Sequence, residues 1–150
     1  MAFLSSLDIS GSALTAQRLR MDVISQNIAN ATTTKTASGE PYRRRVAVFS
    51  ERPGATTFSS FFERAQQDQS NQVAGRGVVV SSIATDMSDF KTEYDPTHPD
   101  ADENGYVRYP NVNEVTEMVD MMASTRAYEA NITALNATKN MALKALEIGR

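Results

Sequence analysis

Residues 111–148 read NVNEVTEMVDMMASTRAYEANITALNATKNMALKALEI, and their spacing decides the fold. Met118, Met121, Thr125, Tyr128, Ile132, Leu135, Lys139, Ala142 and Leu146 follow one another at alternating steps of three and four. That is a heptad seam, interrupted at Thr125 and Lys139. Ala123, Ala127, Ala130, Ala134 and Ala137 form a second stripe at the same spacing, facing nearly the opposite way. One side offers large side chains; the other is flat enough for a second backbone to come close. A helix adhesive on both sides calls for more than one neighbour. The plainer alternative packs one side on a single partner helix and treats alanine as a good helix former. Pro110 closes the preceding loop, and Asn111 reads as the cap with Glu114 as its reciprocal partner. Glu114 and Glu117 suit the positive end of the helix dipole, and Lys139 and Lys144 lie towards the negative end. Gly149 is a C-terminal stop. The spacing predicts a helix over 111–148, about 57 Å long.

A matching helix is expected at the other end. Residues 1–31 are apolar and rich in small side chains, with Gly11 the one breaker. Leu7, Leu14, Met21 and Ile28 recur every seven residues, and Ile9, Ala16 and Val23 form a second column on roughly the opposite side. Asn27-Ile28-Ala29-Asn30 and the threonines after it end the helix near Asn30.

Residues 32–110 change character. Thr, Ser, Gly, Pro and Asp dominate, with short β-like bursts at Tyr42–Phe49, Val78–Val80 with Ile83, Phe90–Tyr94 and Tyr106–Tyr109. Val78–Val80 with Ile83 reads as a buried strand, and Phe58–Ala65 as one or two helical turns. The expected fold is α+β. A helix at 1–31 and a helix at 111–150 pair as in a coiled coil, and a small β-rich domain at 32–110 is inserted between them.

Composition narrows the function. The formal net charge is −3, which argues against a nucleic-acid binder. Cysteine is absent, which excludes disulfides, thiolate catalysis and Cys-ligated zinc. No run of 18 apolar residues spans a membrane. Asp8 interrupts the stretch where a secretory signal would have its apolar core, so no cleaved signal peptide is expected. Leu, Ile, Val and Phe together make up about a fifth of the chain, the level below which chains tend not to hold a core alone.

The candidate chemical sites are sparse. His98, the sole histidine, lies between Pro96 and Pro99 in an acidic loop and reads as a turn residue rather than a base. Asp100, Asp102 and Asn104, followed by Gly105, match the first half of a calcium loop. The twelfth position is Asn111, not the bidentate Glu that calcium takes, so a turn with glycine at positive φ is the better reading. Arg43-Arg44-Arg45 is the one basic run, either an edge-protecting strand or a subunit contact. No metal, cofactor or catalytic group is expected. These residues together describe an assembling structural subunit, with a coiled-coil adaptor or export chaperone of the cytoplasm as the rival.

Leu19–Thr34, LRMDVISQNIANATTT, resembles the signature of the bacterial flagellar rod and hook family, centred on Ser25, Asn27, Ile28, Ala29 and Asn30. Pro41-Tyr42-Arg43-Arg44, Gly105-Tyr106-Val107 and Tyr109-Pro110-Asn111-Val112-Asn113 resemble the proximal-rod branch of that family. Glu117-Met118-Val119, Arg126–Asn131 and Leu135-Asn136 extend the likeness, while 51–76 departs from it. The resemblance implies a helical tube of subunits with the terminal helices innermost. It also implies export through the flagellar type III apparatus, and a place in the rod that crosses the periplasm. On that view the assembly surfaces are Leu7, Leu14, Met21 and Ile28 on the first helix. On the second they are Met118, Met121, Ala123, Ala127, Tyr128, Ala130, Ile132, Ala134, Leu135 and Leu146. The partners are further copies and other rod proteins.

Overall fold

Twenty-eight residues with one glycine and no proline form helix α1 (Ala2–Ala29) in a computed structural model that describes residues 2–52 and 77–148. The expected turns at Phe58–Ala65 lie outside the described residues. Asn30 ends α1 by folding its own amide back onto the Gln26 carbonyl at 2.9 Å, beside the main-chain bond to the same oxygen. A second helix, α2 (Glu114–Ile148), runs for 35 residues. Its cap is Asn113, whose Oδ1 accepts the Val115 and Thr116 amides at 3.1 and 3.3 Å. Asn111, expected in that role, lies outside the helix because its side chain is held by the β region instead.

The helices run antiparallel, since Asn27 meets Glu117 while Met21 meets Thr125 further along. The covered face of α2 has heptad spacing, through Glu117, Met121, Ser124, Tyr128, Asn131, Leu135, Thr138 and Ala142. It shares Met121, Tyr128, Leu135 and Ala142 with the expected stripe. Its other column is polar and small. Ser124, Asn131 and Thr138, seven residues apart, each bond the carbonyl four residues back in their own helix at 2.7–2.9 Å. Their polar groups are thereby satisfied without a partner across the seam. Met118, Ile132 and Leu146 stay exposed.

On α1 the deepest residues are Ala16, Val23, Ile24 and Asn27, while Leu7, Leu14, Met21 and Ile28 are half-buried. The reason is that α1 is covered twice, by α2 and by a β-ribbon. Strands β1 (Arg45–Glu51) and β2 (Val78–Thr85) make that antiparallel ribbon, with a bulge between Val48 and Phe49. Strands β3 (Lys91–Tyr94) and β4 (Tyr106–Tyr109) make a second. The expectation that Val78–Val80 and Ile83 form a buried strand is corrected: Val79 and Ile83 are exposed, because a two-stranded ribbon has one covered face.

The ribbon is held to α1 at a glycine. Gly77 has φ +103°, and a Cβ there would run into the Ser12 hydroxyl. That hydroxyl accepts the Val78 amide at 3.1 Å and donates to the Ile9 carbonyl at 2.7 Å. Among the described residues, five apolar side chains besides proline are buried, while seventeen large ones are exposed. So small a core leaves the fold leaning on its polar contacts.

Candidate functional site

Those contacts converge where the start of α2 crosses the end of α1. Asn27 is 1% exposed, and its carboxamide makes four hydrogen bonds. Its Nδ2 donates to the Arg45 carbonyl at 2.8 Å and to Glu117 Oε2 at 3.0 Å. Its Oδ1 accepts from the Arg45 amide and from the Tyr42 hydroxyl, both at 3.0 Å. The side chain therefore pairs with Arg45 as a neighbouring strand would, and fixes β1 against α1.

Glu117 is fully buried. Its Oε1 accepts from Arg44 Nε at 2.6 Å, so each oxygen has a donor. The Arg44 guanidinium also faces Asp120 at 3.5 Å and Asp86 at 3.9 Å, and Arg20 of α1 reaches Asp120 at 3.7 Å. Asn111 completes the clamp. Its Oδ1 accepts the Arg44 amide at 2.8 Å, and its Nδ2 donates to the Asp86 carbonyl and the Ser88 hydroxyl. A buried carboxylate left alone would be very costly; here a charge-assisted bond and an amide hold it.

Two groups at this site titrate away from their usual values. Burial pushes the Tyr42 hydroxyl up, with Arg45 opposing and Glu117 adding to the rise. Asp86 is held below the usual carboxylate range, chiefly by the Ser88 amide and then the Ser88 hydroxyl. Every polar group of the clamp is thus engaged with another protein group. The arrangement joins elements.

The other residues singled out from sequence fall as follows. Of the signature, Asn27 is in the clamp, Ile28 and Asn30 are half-buried, and Ser25 and Ala29 are exposed. Met121, Ala127, Tyr128 and Leu135 are half-buried, and Ala123, Ala130 and Ala134 are exposed. Asp100 accepts from the Thr34 hydroxyl at 2.7 Å, and its amide bonds His98 Nδ1 at 3.1 Å. Asp102 lies 4.0 Å from Arg108, and Gly105 has φ +78°, so this stretch is the turn joining β3 to β4. Among the described residues no cluster of three His, Asp or Glu is placed to hold a metal ion. The arginine run divides its work. Arg43 stacks on Phe90 with 4.1 Å to the ring centre, Arg44 enters the clamp, and Arg45 lies over Tyr42 at 5.8 Å. The sequence reading gives Glu117 a place at the positive end of the helix dipole and Arg44 a place in the basic run; nothing in their spacing announces a buried pair.

Comparison with known proteins gives these positions a context. Residues 7–35 match the family model described as flagella basal body rod protein, and residues 103–148 match that of the C-terminal region of flagellar basal body rod FlgEFG proteins. The chain is similar to the flagellar basal-body rod protein FlgC of Bacillus subtilis, with 53% identity over 97% of both chains. It is also similar to FlgC of Borreliella burgdorferi, at 47% identity over 99% of this chain and 98% of the relative. FlgC of Salmonella typhimurium is 41% identical over the whole of both.

The chain belongs to the FlgC family of flagellar basal-body rod proteins.

It is a structural rod subunit, and the adaptor or chaperone reading is not favoured. The two matches to rod family models, at 7–35 and 103–148, fall on the two helices that the clamp joins, and Asn27 and Glu117 lie one in each.

Proposed function

We propose that this rod subunit is non-enzymatic and assembles with further copies and with other rod proteins into a helical tube. In the tube its helices transmit motor torque across the periplasm. The observation that carries this reading is the imbalance between four buried large aliphatic side chains, Val23, Ile24, Val107 and Val112, and seventeen exposed large apolar ones among the described residues. Exposed apolar surface on that scale marks an interaction surface. In the tube, a twist passes through many small contacts between helices rather than one bond. Of the residues named above as assembly surfaces, the exposed Met118, Ala123, Ala130, Ile132, Ala134 and Leu146 supply those contacts, while Met121, Tyr128 and Leu135 lie on the face turned to α1. Export through the flagellar type III apparatus belongs to the same proposal, and the likeness to flagellar basal-body rod proteins supports it.

Ala130 gives the test. It is exposed, so Ala130→Leu leaves the melting temperature of the purified chain within about 1 °C. In a packed assembly the added carbons overfill the contact, at about 1–3 kcal/mol in each subunit. The expected result is a stable chain with lost swimming motility. Full motility would mean that the alanine stripe meets no neighbour.

A further inference from the structure

Of the nine asparagines in the chain, Asn104 alone is followed by glycine. In that pair an asparagine side chain and the next main-chain nitrogen react with each other most readily, because glycine has no Cβ to crowd the approach. Asn104 is exposed and lies outside the clamp and both helices. Its chemistry is decided by the turn that holds it.

The turn ties down the nitrogen. The Gly105 amide donates to the Asp102 carbonyl at 2.8 Å, and the Asp102 amide donates to the Tyr106 carbonyl at 2.9 Å. The Gly105 carbonyl accepts the Asp95 amide at 3.0 Å. The peptide link between 104 and 105 is therefore held from both sides, with Gly105 at φ +78°. To reach the Asn104 side chain, the Gly105 nitrogen must leave the Asp102 carbonyl and the link must rotate. Both moves open the end of the β3–β4 ribbon. Space is fixed as well. A Cβ built on Gly105 would lie 2.9 Å from the Tyr94 ring and 3.4 Å from Pro96. Tyr94 in turn meets Tyr106 edge to face, with 5.3 Å between ring centres. One more main-chain atom at this point would displace Tyr94 from that contact.

We infer that Asn104 is a modification site governed by this turn: while the turn is open the residue deamidates to an isoaspartyl link, and closing the turn stops the reaction. The Gly105 nitrogen gives up its proton and bonds to Asn104 Cγ. The Cγ–Nδ2 bond breaks, and Nδ2 leaves as ammonia with that proton. Water then opens the five-membered ring at either carbonyl. One opening gives aspartate; the other routes the main chain through the side chain and makes it one carbon longer. The longer link cannot return Gly105 to its place against Tyr94, so the converted chain does not reclose the ribbon. The reaction withdraws chains that stay unfolded and spares folded ones. The site goes beyond the rod assignment and does not depend on it.

The purified full chain is held in mildly alkaline buffer, folded in one arm and in urea in the other, and then digested with trypsin. Cleavage at Lys91 and Arg108 gives a peptide, 92–108, whose one asparagine is Asn104. Mass spectrometry reads the exchange of amide for acid, and an isoaspartyl methyltransferase labels the longer link. The expected result is conversion in urea and a rate lower by about tenfold or more in the folded arm, since reaction must wait for the turn to open. Equal rates in both arms, or no conversion of Asn104 in urea, overturn the site. Asn104→Asp adds the charge without the extra carbon. It is expected to melt with the unsubstituted chain. The isoaspartyl chain, purified and refolded, is expected to melt lower and to lose hydrogen-exchange protection at the Asp95 and Asp102 amides. An isoaspartyl chain that melts with the unsubstituted one, or an equal loss in Asn104→Asp, overturns the claim that the longer link keeps the turn open.

Discussion

Asn27 uses a carboxamide's two donors and two acceptors at once, and that makes it hard to replace. Asn27→Asp keeps the shape but turns both donor positions into carboxylate oxygen, 3.0 Å from Glu117 and 2.8 Å from the Arg45 carbonyl. Unfolding in urea, followed by helical ellipticity, is expected to show a loss of about 3–5 kcal/mol, as when a buried ionic contact is broken. Ser25→Ala, at an exposed signature position, is expected to stay within about 0.5 kcal/mol. A loss within about 0.5 kcal/mol at both would place the signature's value outside the monomer's fold. Tyr42 gives a pH test. Its proton is held more tightly in the folded chain than in the unfolded one, because burial disfavours the phenolate. The stabilisation is complete below the usual tyrosine value of about 10 and is lost as pH rises through the raised folded value. The melting temperature is therefore expected to fall on the alkaline side. Tyr42→Phe, lower at neutral pH by the lost hydrogen bond, is expected to fall less steeply. Parallel curves would contradict the assignment.

At the scale of elements, what could be read in the sequence was the period, and what could not was the phase. Both long helices, the four short strands and the α+β layout followed from spacing and turn residues. The covered face of α2 did not, because half of it is Glu117, Ser124, Asn131 and Thr138. A reading weighted by hydrophobicity turns towards Met118 and Ile132, and the bonds that let serine, asparagine and threonine sit in a seam run back along their own helix. The burial expected of β2 failed for a related reason: a valine run does not say how many faces a sheet will have covered. Arg44 and Glu117 were illegible as a pair because a buried ion pair 73 residues apart in sequence has no local pattern. Glycines give the element-scale prediction. Gly77→Ala places a methyl group against Ser12 at a φ that suits glycine, and is expected to cost about 1–3 kcal/mol and to loosen the ribbon from α1. Gly11→Ala, in mid-helix with open space around it, is expected to stabilise the isolated chain by about 0.5–1 kcal/mol. Thermal melts of the two variants give the comparison, and equal shifts would mean that Ser12 does not anchor the ribbon.

For the whole molecule, stability is concentrated at one end of the helix pair. The clamp and the buried Val23, Ile24 and Glu117 lie together, while Leu143 and Leu146 are exposed at the other end. Isolated helical segments are marginal in water. Hydrogen exchange of the dilute chain is therefore expected to be slow around 23–27 and 117–124, and to quicken towards 5–14 and 135–147. Even protection along both helices would show that the distal half needs no neighbour. The clamp's position also bears on the segment between β1 and β2. Its two ends are tied side by side, the Arg52 amide donating to the Gly77 carbonyl at 2.9 Å. Length is constrained differently in the helices: a single residue gained or lost in α1 or α2 would rotate every later side chain by about 100° and break the seam. The helices can therefore vary only by substitution.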